Sequence, residues 1–190
     1  MIDLSTTYLG LKLRSPLLAS AGPLTQDIDN VRRMEDAGVA AVVMHSLFEE
    51  QIEIDSQELD RALWGGAESF AEATSYFPDL TAYNIGPDSY VELVAKAKRA
   101  TMIPVIGSLN GISAGGWLRY AREIEQAGAD ALELNIYHLP TDPRVSGLTV
   151  DQQHCDLVAR IKGCVSIPVA VKLGPFFTSI PHMADRKSVV

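Results

Sequence analysis

Lys172 closes the apolar run Ile167-Pro168-Val169-Ala170-Val171-Lys172, and the chain breaks just beyond it at Gly174-Pro175. Such a run, bounded by turn residues, reads as a buried strand. An ammonium at its end costs free energy unless an anion meets it. At the C-terminal end of a parallel strand the partner is commonly a ligand; the alternative is a Lys that stretches out to a surface carboxylate. The other strand-like runs end in Ala19-Ser20-Ala21-Gly22, His45-Ser46, Ser108-Leu109-Asn110-Gly111 and Asn135. The small residues Ala19, Ser20, Ala21 and Gly22 let a flat ligand approach the backbone closely. The side chains of Asn110 and Asn135 offer paired donors and acceptors for the edge of a heterocycle. Any one Asn here is an ordinary turn residue; several at successive strand ends describe a site. With the charge of Lys172 added, that site suits a planar, hydrogen-bonding ring that becomes anionic, and a reduced flavin fits the description.

The elements that must position these residues alternate along the chain. Strands are expected over 16–20, 39–44, 104–108, 131–135 and 168–172, and helices over 27–37, 89–100, 114–127 and 150–161. Continuous apolar strands separated by helices of this length mean a parallel sheet covered by helices. Two punctuation patterns repeat. Asp36-Ala37-Gly38-Val39-Ala40-Ala41 returns as Gln126-Ala127-Gly128-Ala129-Asp130-Ala131, a helix end with Gly at its cap leading into a strand. Met102-Ile103-Pro104-Val105 returns as Ser166-Ile167-Pro168-Val169, with Pro where a strand begins. Repeated helix–Gly–strand units favour a (β/α)8 barrel over an open doubly wound sheet, and no GxGxxG follows the first strand. Ahead of the barrel, residues 2–8 and 11–13 flank Leu9-Gly10 and read as a hairpin that plugs the barrel's bottom. The acidic stretch 48–79, with Trp64-Gly65-Gly66, reads as a long, partly helical excursion after the second strand.

Composition narrows the class. A chain of 190 residues can bury a sizeable core as one domain. A net charge of −8 argues against nucleic acid as a partner, because phosphate binding needs a basic patch. No run of about 18 apolar residues suggests a membrane span, and no secretory leader is evident. Cys155 and Cys164 lack CxxC spacing, which points to a reduced, cytoplasmic protein without a metal site; both read as helix-packing residues.

Over residues 1–184 the chain resembles the dihydroorotate dehydrogenases, most closely the class 1, cytosolic type. The resemblance rests on Ser15-Pro16-Leu17-Leu18-Ala19-Ser20-Ala21-Gly22, on Glu133-Leu134-Asn135 and on Val169-Ala170-Val171-Lys172-Leu173-Gly174-Pro175, in that order and spacing. It implies a TIM barrel carrying flavin mononucleotide (FMN) on its strand ends and oxidising dihydroorotate to orotate, a step of pyrimidine biosynthesis. It places the backbone of Ala19–Gly22 against the flavin, with His45, Ser46 and Asn110 in the same cradle. Asn135 faces the ring and substrate, and Lys172 lies at the pyrimidine edge, where its charge favours the reduced, anionic ring. It also implies a small-molecule substrate, a homo-oligomer when full length, and no membrane partner.

The chain departs from the family in the loop after Asn135. Class 1 enzymes run Asn-x-Ser-Cys-Pro-Asn there with Cys as base; this chain has Asn135-Ile136-Tyr137-His138-Leu139-Pro140. His138 takes the cysteine's position and is either a base, with a pKa naturally near working pH, or a loop histidine without chemistry. Pro140 replaces a substrate-binding Asn, and His45 replaces a Lys. Two other readings stay open: a non-catalytic flavin-binding or structural barrel, and an aldolase that uses Lys172 as a Schiff base. Five strands are fewer than a barrel's eight, so residues 1–184 are expected to be the N-terminal part of a barrel. Asp185-Arg186-Lys187-Ser188-Val189-Val190 is what GATCGGAAGAGCGTCGTG encodes, a string resembling a sequencing adapter. Residues 185–190 are therefore expected to be a non-native tail.

Overall fold

The computed structural model describes residues 2–48, 87–111, 117–137 and 140–188. Strands β1 (Thr6–Tyr8) and β2 (Leu11–Leu13) pair antiparallel with Tyr8 opposite Leu11. The turn residues Leu9 and Gly10 have φ of 53° and 75°. Both lie in the left-handed region that a two-residue hairpin turn requires, and Gly meets that demand without a steric penalty.

A curled parallel sheet follows, built from β3 (Leu18–Ala19), β4 (Ala41–Val43), β6 (Val105–Asn110), β7 (Ala131–Asn135) and β8 (Val169–Lys172) in the order β3-β4-β6-β7-β8. A two-residue strand, β5 (Leu47–Phe48), pairs with the far end of β6. This is the half-barrel expected from the alternation of apolar runs and helices. Its helices are α1 (Ile28–Asp36), α2 (Pro87–Ala100), α3 (Trp117–Gln126), α4 (Gly147–Lys162) and α5 (Ile180–Ser188). The first strand is shorter than the apolar run 16–20 suggests. Phe48, assigned to the excursion, belongs to β5, and Pro23–Gln26 forms an unforeseen 3-10 helix. The rest of the excursion, with Trp64-Gly65-Gly66, lies outside the described residues, as do 114–116 at the start of the third expected helix. Residues 185–188 continue α5.

Strand side chains alternate between the two faces. Val105, Leu109, Leu132, Leu134, Val169 and Val171 join the helix-side core with Trp117, Ile124 and Ile161. Val43, Ile106 and Ala131 turn the other way, where Leu9 and Leu11 of the hairpin pack against them, while Leu13 packs on Ala40 and Ala41. The hairpin thus fills the inner side of the sheet near the N-terminal ends of its strands, as a plug at the barrel's bottom should.

The two sequence repeats are joined to each other by one carboxylate each. Glu35, just before Ala37-Gly38, accepts from the N–H of Met102 at 2.9 Å. Glu125, at the matching place before Ala127-Gly128, accepts from the N–H groups of Ser166 (2.8 Å) and Ile167 (3.2 Å). The Ser166 hydroxyl donates to the same carboxylate oxygen, and that bond first, then the Ser166 N–H, holds the Glu125 carboxyl below its usual range. Gly38 and Gly128 take φ of 100° and 94°, the left-handed caps that turn each helix into its strand. A Glu at a helix end therefore clamps the approach to the strand beginning at the following Ile-Pro pair.

Candidate functional site

Inward-facing positions form layers along the strands. Ile106 pairs in register with Ala131; Ser108 with Glu133, and Glu133 with Ala170; Asn110 with Asn135, and Asn135 with Lys172. The lowest layer is apolar and covered by the hairpin leucines. The two layers above it carry nearly all the polar groups. Moving up the inner face therefore means moving from a dry core to a polar mouth at the C-terminal strand ends.

Within that mouth the side chains touch. The amide nitrogen of Asn135 donates to Ser108 Oγ at 3.0 Å, and more weakly to Ser46 Oγ (3.3 Å) and to the carbonyl of Leu109 (3.4 Å). Ser46 and Ser108 share a hydroxyl bond of 2.9 Å. Lys172 Nζ lies 3.0 Å from Glu133 Oε1, which also accepts from Ser108 Oγ at 3.5 Å. Asn135 and Ser108 are buried, whereas the Lys172 side chain is 44% exposed, so the ammonium marks where the cluster opens. Tyr90 of α2 supports it from behind: its hydroxyl accepts from the Ser108 N–H (2.8 Å) and donates to the Ser108 carbonyl (3.2 Å). Burial lifts the Tyr90 phenol far above its ordinary range, so it stays a neutral donor and acceptor.

Of the residues singled out by sequence, Ser46, Asn135 and Lys172 come together in this cluster. Asn110 shares their face and layer, half-buried beside Asn135. Ala21 packs on the inner side with Val43, Ile106 and Ala131, whereas the Ala19 side chain joins the helix-side core. Ser20 is exposed, and Gly22 has extended backbone and ordinary space around it. Nothing in the packing of the described residues demands Gly at 22. His45 goes elsewhere. Between β4 and β5 the chain carries one residue more than β6 does opposite, an extra residue of the kind that re-aims side chains. The His45 ring sets its edge against Tyr90 at 4.9 Å. It is buried, its Nδ1 has no partner among the described residues, and burial lowers its pKa to about 4. His138, in the loop after β7, lies outside the described residues.

Sequence reasoning missed Glu133 as part of the site, although it was quoted for the resemblance. The signal was available: Glu133 and Asn135 are two apart on one strand and so must share a face. A cavity of about 650 Å³ is lined by Tyr137, Val150, His154, Phe176, Phe177 and His182 among others and includes none of the cluster. His154 there bonds the Val150 carbonyl through Nδ1 at 2.7 Å and meets Phe177 edge-on. Among the described residues no helix is long and apolar enough to cross a membrane, and no group of three or more His, Cys, Asp or Glu could hold a metal ion.

No family model matches the chain. Among curated proteins it is 29% identical over 189 residues to "Dihydroorotate dehydrogenase B (NAD(+)), catalytic subunit" of Thermoplasma acidophilum, and equally to that of Thermoplasma volcanium. Each match takes in 97% of this chain and 58% of the relative. A protein of the same name from Endomicrobium trichonymphae is 23% identical over 184 residues, 96% of this chain and 56% of its own length. The chain thus spans little more than half the length of the curated relatives it matches. Among solved structures, dihydrodipicolinate synthase from Agrobacterium tumefaciens superposes with a TM-score of 0.55 at 13% identity, over 90% of this chain and 50% of that one. The 4-hydroxy-tetrahydrodipicolinate synthase of Methylacidiphilum fumariolicum SolV gives 0.51 at 12% identity, over 91% and 51%. At such identities these two share a fold with the chain and nothing finer.

Proposed function

We propose that this divergent relative of the dihydroorotate dehydrogenases is, within its full-length protein, an FMN-dependent oxidoreductase acting on a CH–CH group of a small planar substrate. The observation that carries the reading is the layered inner face, where Asn110, Asn135 and Lys172 share one register row above an apolar, hairpin-filled floor. Hydroxyl, amide and ammonium groups in one contiguous cluster suit a flat ring with several acceptors. FMN held there would supply a two-electron hydride acceptor, so that loss of hydride from one substrate carbon to the flavin, and of a proton from its neighbour to a base, would leave a C=C bond.

The chain's own residues supply the setting. Ser108 and Ser46 hold the Asn135 amide by its nitrogen, so its oxygen is the atom left to accept from a ligand N–H. Lys172 offers positive charge where negative charge develops, an interaction worth more after reduction than before. The backbone of Ala19–Gly22 gives a flat neighbour room to approach. Dihydroorotate is the substrate that the resemblance suggests; with His138 and Pro140 in place of the family's Cys and Asn, a related ring fits the reading equally. A cytoplasmic location and a homo-oligomeric full-length protein belong to the same proposal.

The full-length protein is expected to purify with a flavin absorbance spectrum. Lys172→Ala should slow flavin reduction about 10²-fold while changing flavin affinity much less, and equal reduction rates in variant and wild type would sink the assignment. His138→Ala should lower turnover by about 10² and remove the neutral limb of the pH–rate profile. Unchanged turnover places the base elsewhere.

A further inference from the structure

We propose that Glu133 is the built-in counter-charge of Lys172 and sets how strongly this site favours a ring that gains negative charge. The inference rests on the flavin reading and assigns a residue that the reading does not use. Glu133 points to the inner face one layer below Asn135 and Lys172, its side chain only 9% exposed and Oε1 3.0 Å from Lys172 Nζ. Beneath it lie Val43, Ile106 and Ala131, which offer a carboxylate nothing. Among the described residues, its polar contact apart from Lys172 is the long one to Ser108 Oγ at 3.5 Å.

Stability alone does not explain a carboxylate at this place. Replacing a buried ion pair by apolar groups of similar volume is often neutral or stabilising, and the layer below shows that this face accepts apolar side chains. What the pair changes is the potential at the mouth. With Glu133 in place, the ammonium adds little net charge before a ring is reduced. Once the ring carries negative charge, Lys172 lies between two anions and its pull on the ring is partly offset. Glu133 is thus a positioning residue acting through Lys172: it moderates the preference for the reduced ring, so that electrons can leave again.

The test measures FMN reduction potential by spectroelectrochemistry in the full-length holoprotein. Glu133→Gln, which keeps shape and removes charge, should raise the potential, strengthening reduced over oxidised flavin binding by about tenfold or more, the scale of one close charge pair. Glu133→Asp keeps the charge and should stay near wild type. Lys172→Met should shift the potential the opposite way. A Glu133→Gln protein at the wild-type potential, beside a shifted Lys172→Met, overturns the inference and leaves Glu133 a structural residue. If Lys172→Met is unshifted too, the placement of Lys172 beside the ring falls with the inference, whereas a full-length protein that holds no FMN overturns the flavin reading itself. Should Glu133→Gln not fold, Glu133→Met, apolar and of similar volume, takes its place with Lys172 kept: a raised potential supports the counter-charge, and the wild-type potential overturns it.

Discussion

At the scale of single residues, His45 is held in a state that water would not allow at mildly acid pH. Its pKa falls from the usual 6.5 to about 4 because burial against Tyr90 penalises the imidazolium. The unfolded chain therefore binds a proton between pH 6.5 and about 4 that the folded chain refuses. Stability is complete above pH 6.5 and declines as pH falls through that window, by on the order of 3 kcal/mol at its lower end. Urea midpoints of the full-length protein measured from pH 7 to 4.5 should fall, and His45→Phe should flatten the part of the slope that belongs to this group. An unchanged slope in the variant would assign the acid sensitivity to other groups. The same burial keeps His45 uncharged at neutral pH, so it does not replace the cation that the resemblance expects at this position.

At the scale of elements, the fit of α3 on β6 depends on Gly107. A Cβ at that position would lie 2.4 Å from Cγ2 of Ile124, a side chain buried in the helix-side core with no free end to swing aside. Gly107→Ala should therefore cost about 1–3 kcal/mol through overpacking. Ile124→Ala opens a cavity at the same spot and should cost about 2–5 kcal/mol alone. Because each change relieves the other, the double variant should cost less than the sum, and an additive result in chemical denaturation would refute the contact. The Glu35 and Glu125 clamps work at this scale as well. Each ties a helix end to the entry of the strand that follows the next helix, so the helix–Gly–strand unit is closed by its successor's Ile-Pro pair.

At the scale of the whole molecule, the sheet ends in β3 on one side and β8 on the other, and neither has a second strand partner among the described residues. β8 is only half-buried, while β7 beside it is buried throughout. The hairpin covers the lower inner face and does not reach the polar layers. Unpaired edges and an open interior make a poorly protected sheet. Residues 1–190 expressed alone are expected to unfold at low urea over a broad transition by circular dichroism and to show no micromolar affinity for FMN. A sharp single transition with micromolar binding would show instead that this stretch is a self-sufficient unit.

What was legible in the sequence was what depends on neighbours along the chain. Period, Gly caps and Ile-Pro pairs placed five of the six parallel strands and the helices between them to within a few residues, and Leu9-Gly10 announced the hairpin, because these signals act within a turn or two of backbone. Two-residue β5 and the 3-10 turn at Pro23–Gln26 escaped, being too short for any period to show. Lys172 was legible as a charge needing an anion, since an apolar run ending in one cation poses that question unaided. Its answer was not: Glu133 lies 39 positions earlier, and only the parallel register of β7 on β8 brings its carboxylate to 3.0 Å. The direction of His45 was decided the same way, by one extra residue between β4 and β5 and by a tyrosine from α2. Sequence determined which side chains lie on which face of their own strand; tertiary structure decided which of them meet, because strand register and helix packing are settled between segments far apart in the chain.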